Sequence, residues 1–292
     1  MSSNIVLGLA TRQNLLALQQ INTNMDTAQN HLATGLKVAS AVDDAVKFFQ
    51  SQALTQRAND ISTRKDQIDQ GISTLTAATN GVQAVVTILQ QMQGIINTAK
   101  TETASQRAGS ATQFNTLAKQ LNNLVNDTSY QGLNLINSTT STLSLQFSIS
   151  STSTMKIKGV NLNLSKLITA IGGAASTAAS KLAKVSSTVA GFSKVSNKTS
   201  IFDNIFNTLQ TAVFTAQSDA QTLGGNVTFL QTRLDFSAQY LTTLQGGSDK
   251  LVVADVNEES TNLVTLQTRQ QLSIQSLSIA TQSEQSVLRL FH

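Results

Sequence analysis

Apolar residues recur along most of the chain at alternating spacings of three and four. This is the pattern of a helix with one buried stripe, or of a coiled-coil seam. The first run is Leu18, Ile21, Met25, Ala28 and Leu32. Gly35 interrupts it, and Asp43 and Asp44 follow as good cap or first-turn residues. A second run takes in Ile61, Ile68, Ile72, Leu75, Val82, Val86, Leu89 and Ile96, with Lys65, Thr79 and Gln93 as polar members of the same register. A third, shorter run is Phe114, Leu117, Leu121 and Leu124.

The period then changes. Leu143, Leu145, Phe147 and Ile149 alternate at spacing two, Ser and Thr fill 150–154, and Met155 and Ile157 resume the alternation. This predicts a β-hairpin. Residues 159–200 are rich in Gly, Ala, Ser and Lys and read as a short variable excursion. The helical period returns from Phe202 through Leu209, Leu223, Leu230 and Leu244, with Gly224-Gly225 inside it and Gly246-Gly247 as the expected break. A last segment carries Val256, Leu263, Leu266, Ile274, Leu277, Val287, Leu288 and Phe291.

Each terminal half thus has an apolar stripe too narrow to be stable alone, and pairing the halves buries both. The expected fold is mainly α. It is an elongated rod of long antiparallel coiled-coil-like helices from both chain ends, with a small β-hairpin and short variable insert at the far end. The expected divisions are 1–42 with 251–292, then 43–140 with 203–250, then 141–202. Gly35, Asp43, Asp44, Gly246 and Gly247 mark the joint between the first two.

Composition sharpens this picture. Only 12% of the 292 residues are charged while 40% are hydrophobic, against a usual charged share of about 25%. Neutral polar side chains have replaced charge, which lowers the desolvation cost of burying surface against other copies. The chain has no Pro, where average usage predicts about 15. Proline breaks helix interiors, so its absence suits very long helices. With no Cys there are no disulfides and no thiolate metal sites. A net charge of +4 is too small to argue for nucleic acid. No run of 18 apolar residues predicts a membrane span, and the N-terminus lacks the pattern of a cleaved signal peptide.

Charge is unevenly placed. No acidic residue lies between Asp127 and Asp203, a stretch holding Lys156, Lys158, Lys166, Lys181, Lys184, Lys194 and Lys198, so it is formally +7. No catalytic, cofactor or metal constellation appears. His31 and His292 stand apart from other ligand types, and His31 reads as a solvated helix residue.

Three stretches stand out: His31-Leu-Ala-Thr-Gly-Leu-Lys-Val-Ala-Ser-Ala-Val-Asp-Asp-Ala, then Tyr130-Gln-Gly-Leu-Asn-Leu-Ile-Asn, and the C-terminal run from Asn257-Glu-Glu-Ser-Thr-Asn-Leu to Phe291. Together they resemble bacterial flagellins, the proteobacterial members especially, with Gln131 where the family usually has Asn. The resemblance implies a structural subunit that polymerises into the flagellar filament for swimming motility. The termini would form an inner core that orders on assembly, the next helices an outer core, and the middle would face outward. It also implies type III export without a cleaved signal peptide, an extracellular location, and an export chaperone, a filament cap and hook–filament junction proteins as partners. The self-assembly residues would be Leu18, Ile21, Met25, Leu32, Leu263, Leu266, Ile274, Leu277, Val287, Leu288 and Phe291. A hook–filament junction protein is the alternative, since it has similar ends. A chemoreceptor signalling hairpin, also a long heptad rod, is disfavoured by the strand pattern at 143–157. Flagellins recognised by the innate flagellin receptor carry a Q-R-V-R-E-L patch. Its counterpart here is Gln90-Gln-Met-Gln-Gly-Ile95, which has lost both arginines and the glutamate.

Overall fold

The computed structural model describes residues 9–148, 152–167 and 199–290. In chain order these form α1 (Leu9–Thr34), α2 (Ala45–Thr101), α3 (Ala104–Asp127), β1 (Thr142–Gln146), β2 (Thr154–Lys158), the single turn α4 (Leu164–Leu167), α5 (Thr199–Val252) and α6 (Val256–Leu290). Contacts divide the chain into two units. One is Met1–Ala58 with Thr242–His292, and the other is Asn59–Leu241.

The second unit holds the large core. Leu75, Val82, Val85, Leu89, Met92 and Ile96 of α2, Phe114, Leu121 and Val125 of α3, and Phe202, Leu209, Leu223 and Leu230 of α5 are buried in one cluster. The α2 register differs from the sequence expectation at its polar positions. Ala78 and Met92 are buried, where Thr79 and Gln93 were expected on the seam. Because α2 contributes to a cluster shared with two other helices, its buried face is wider than a two-helix seam, and the better apolar neighbour turns inward. Thr79 is half-buried and donates its hydroxyl to the Leu75 carbonyl at 2.8 Å. By composition α2 is also apolar enough to cross a membrane, and these side chains of it lie in the protein core.

The hairpin forms as expected. β1 and β2 are antiparallel, with Leu143 opposite Ile157 and Leu145 opposite Met155. Leu145 and Ile157 turn into the core. Leu145 sits so close to α2 that a Cβ at Gly71 would lie 2.6 Å from its Cδ1, so any larger residue there would have to displace the Leu145 side chain. Ile149 lies outside the described residues.

The Tyr130–Leu133 segment is a two-residue turn closed by reciprocal 3.0 Å backbone bonds. Gln131 has φ +50° and Gly132 φ +81°. Two positive φ values favour Asn-Gly, so Gln131 is held against its preference. Its amide donates to Gln70 Oε1 at 3.0 Å, and the Tyr130 hydroxyl donates to the same oxygen at 2.9 Å.

Candidate assembly interface

The first unit is built on the pairing of α1 with α6. Leu18, Ile21, Met25 and Leu32 are half-buried and Ala28 is buried. On α6, Leu263, Leu266 and Leu277 are half-buried in the same register. Two polar links fix that register: the Gln270 amide donates to Asn22 Oδ1 at 2.7 Å, and His31 Nδ1 lies 2.9 Å from Glu259 Oε1. His31 is therefore not the solvated residue expected from sequence. Its partner stands 228 positions away, which no local pattern could reveal.

Ile274 departs from the expected stripe, being 54% exposed. Gln270 and Ser273 take the half-buried positions in that part of α6. Val287 and Leu288 lie in the last turns of α6, and Phe291 lies outside the described residues. A second apolar population was not legible as a stripe. Leu9 and Leu16 of α1 and Val264, Leu272 and Ile279 of α6 are all more than 60% exposed. Helices apolar on more than one face are normally covered on more than one side.

The joint has a different form from the one expected. Gly35 caps α1 at φ +72°, its N–H donating to the His31 carbonyl at 2.8 Å. The chain break on the C-terminal side falls at 253–255, not at Gly246-Gly247. Helix α5 runs through both glycines to Val252, and neither has a positive φ. The hydroxyl of Ser248 instead lies 2.9 Å from that of Ser51 and 3.0 Å from that of Thr55, tying this stretch to α2. The real break is fixed by backbone: Lys37 and Val38 donate to the Val252 carbonyl, and Ala254 donates to that of Gly35. Asp255 then caps α6 by accepting from the N–H groups of Asn257 and Glu258.

Asp44 takes the cap position of α2, whereas Asp43 closes the turn that precedes it. The Asp43 carboxylate accepts the backbone N–H of Ser40 at 2.9 Å, the Ser40 hydroxyl and the Ala39 N–H. Those bonds, led by the Ser40 N–H and aided by the nearby His31, hold its pKa below the usual value. The Lys47 N–H, with the Lys47 ammonium at 3.1 Å, does the same for Asp44, which caps α2. A carboxyl whose pKa is lowered by folding stabilises the folded turn above its unfolded pKa, about 3.9. That contribution is lost as pH falls through the lowered value. Protection of the Ser40 and Lys47 amides, measured against their intrinsic exchange, is therefore expected to fall below about pH 4. In Asp43→Asn the Ser40 amide is expected to exchange faster already at neutral pH, with a weaker acid dependence. An unchanged pH profile in that variant would rule the turn out as an acid-sensitive element.

Of the basic segment, Lys156 and Lys158 on β2 and Lys166 on α4 are exposed. Lys181, Lys184, Lys194 and Lys198 lie outside the described residues.

A chain of long helices whose two ends pair, with apolar surface left over on both, has the form of a self-assembling structural subunit. Comparison with known proteins agrees. Residues 4–141 match the bacterial flagellin N-terminal helical region, and residues 231–291 match the C-terminal helical region. Flagellin FljM of Caulobacter vibrioides is 30% identical over 283 residues, covering 95% of each chain. A flagellin of Brucella melitensis is 26% identical over 277 residues with the same coverage. In fold, a putative flagellar hook-associated protein from Vibrio parahaemolyticus superposes with a TM-score of 0.60 at 14% identity, covering 72% of this chain and all of that one. The chain belongs to the bacterial flagellin family. It is a non-enzymatic structural subunit of the flagellar filament, extracellular at the cell surface.

Proposed function

We propose that the α1–α6 pair is the polymerisation element of this filament subunit. Residues 1–42 and 251–292 would form the inner core, 43–140 and 203–250 the outer core, and 141–202 the outward face. The observation carrying this is that both paired helices keep large exposed apolar residues after pairing, among them Leu16, Val264, Leu272 and Ile274. Their burial requires further protein surface, and in a homopolymer that surface is another copy. The partners implied by the resemblance, an export chaperone, a filament cap and the junction proteins, belong to this reading, as does type III export without a cleaved signal peptide. Electron microscopy of the purified, seeded protein tests it. Long filaments grown from this chain alone support it, whereas short or absent polymers would favour the hook–filament junction role.

The +7 stretch between Asp127 and Asp203 gives this reading a surface property. Repeated over a filament, it makes the exterior polycationic and attractive to acidic polysaccharide. Lysine suits such loose contact, being a mobile point charge. Adsorption of filaments to an acidic polysaccharide is expected to fall steeply with salt, since exposed charges are screened over about 8 Å at physiological ionic strength. It is also expected to drop when Lys181, Lys184, Lys194 and Lys198 are changed to Gln. Equal adsorption by both filaments would leave solubility as the segment's only role.

The 90–95 stretch leads to a further expectation. Gln90, Gln91 and Gly94 are exposed there, while Met92 is in the core. The exposed positions offer no charged fork, and losing one at an interface centre commonly costs 2 kcal/mol or more, about thirtyfold in affinity. Weak or absent activation of the innate flagellin receptor is expected in a reporter-cell assay. Potency equal to that of an activating flagellin would refute it.

A further inference from the structure

A groove of about 750 Å³ lies between α2, the Tyr130–Leu133 turn and β1, wholly inside the Asn59–Leu241 unit. Small-molecule sites commonly measure about 300–1,000 Å³ and combine apolar surface with a few placed polar groups. Here Leu133 and Leu143, both half-buried, supply apolar surface, and the half-buried Tyr130 lines the groove with them. Gln70 and Gln131 are exposed along it. The charged lining residues are Arg64 and Asp66, one of each sign, so the lining is neutral overall.

Gln131 is the informative residue. It stands at φ +50°, a conformation that favours Asn or Gly and is costly for a longer side chain. Backbone strain of this kind is kept where the residue serves another purpose. The Gln131 amide donates to Gln70 Oε1, as does the Tyr130 hydroxyl. One oxygen thus takes two donors and orients all three side chains. The Gln70 amide N–H groups and the Gln131 side-chain oxygen then have no partner among the described residues, so they stand as a fixed donor and a fixed acceptor. The exposed Asp66 carboxylate adds acceptors. Arg64 gives one N–H to Gln67 Oε1 at 3.0 Å and offers the others.

We propose that this groove binds a neutral oligosaccharide, with Gln70 and Gln131 as the amide pair that meets its hydroxyls. A sugar hydroxyl both donates and accepts, so it is matched by a wall of oriented donors and acceptors set side by side. The C–H face of a sugar ring is apolar and suits the Tyr130 ring and Leu143. A charged ligand gains little here, because Arg64 and Asp66 offset each other. This differs from the attraction of acidic polysaccharide to the lysine-rich stretch, which depends on net charge and requires no shaped site. The groove is complete within one chain, so the proposal does not rest on the filament reading.

Titration calorimetry on the monomer of the whole chain tests it. The neutral probes are maltohexaose, cellohexaose, mannohexaose and chitohexaose, and hexagalacturonate is the acidic one. At least one neutral probe is expected to bind saturably, with an affinity that does not change with salt. Gln131→Asn is expected to weaken that binding about tenfold, equivalent to about 1.4 kcal/mol, because the shorter side chain loses the reach of the amide. Its Tm is not expected to fall, since Asn is the better residue at positive φ. Lost affinity with retained Tm separates a binding role from a folding one. Changing Lys181, Lys184, Lys194 and Lys198 to Gln should leave neutral binding as it is. Absence of saturable binding by every neutral probe up to about 10 mM would overturn the proposal. So would equal affinity in Gln131→Asn and wild type. Binding of hexagalacturonate alone, weakening with salt, would also overturn it and assign saccharide contact to the lysines.

Discussion

Deletion of residues 256–292 is expected to abolish polymerisation while leaving the 59–241 core folded. The deletion removes all of α6, and with it Leu263, Leu266 and Leu277, the partners of the α1 stripe, as well as the Glu259 carboxylate that meets His31. Burying a whole Leu or Ile side chain stabilises by about 1.5–3 kcal/mol. Half-buried contacts give a fraction of that, so α1 and α6 have a thin margin against the conformational entropy of two long helices. On the proposed reading, assembly would supply the missing burial, in the manner of folding coupled to binding. Sedimentation after seeding reads the polymer, and thermal unfolding reads the core, none of whose buried cluster lies in α6. Hydrogen exchange on the intact protein checks the mechanism. Amides of α1 and α6 are expected to be weakly protected in dilute monomer and strongly protected in filaments. Strong protection at both ends of the dilute monomer would contradict it.

Phe114→Ala is expected to remove a large part of the monomer's stability. Phe114 is fully buried in α3 and joins the α2, α3 and α5 cluster. Phe→Ala at such a site costs about 3–5 kcal/mol through lost transfer energy and the cavity left behind. Total stability of a domain is about 5–15 kcal/mol, so a partly unfolded population follows. Urea denaturation measures it, and Phe214→Ala is the internal comparison. Phe214 is mostly exposed, so its removal from the monomer should change stability by about 0.5 kcal/mol or less. A similar loss in both variants would mean that the buried cluster does not dominate the energetics of this unit.

Much of this fold was legible in the sequence because its signals are local. The 3/4 spacing specifies helices, the 143–157 alternation specifies the hairpin, and no proline interrupts either. Gly35 and the Asp43-Asp44 pair announce the end of α1 and the start of α2 through backbone and cap chemistry that needs only neighbouring residues. The family was legible too, since its motifs lie in continuous runs at both ends of the chain.

What the tertiary structure decided depends on partners distant in sequence. Periodicity leaves open whether Met92 or Gln93 turns inward, because that depends on how wide a face the neighbouring helices cover. Gly246-Gly247 reads as a break from propensity alone, but α5 continues because Ser248 is tied to Ser51 and Thr55 nearly 200 positions away. The actual break is set by hydrogen bonds between 35–38 and 252–254. Ile274 fits the period but misses the α1-facing side, because Leu266 and Leu277 are 11 residues apart and the position facing α1 between them is Gln270 or Ser273. Glu259 as the partner of His31 appears only when the chain is folded. Sequence determined which segments are helical or extended, through rotation per residue and local caps. Tertiary structure decided which side of each segment is covered, because burial is a property of two surfaces.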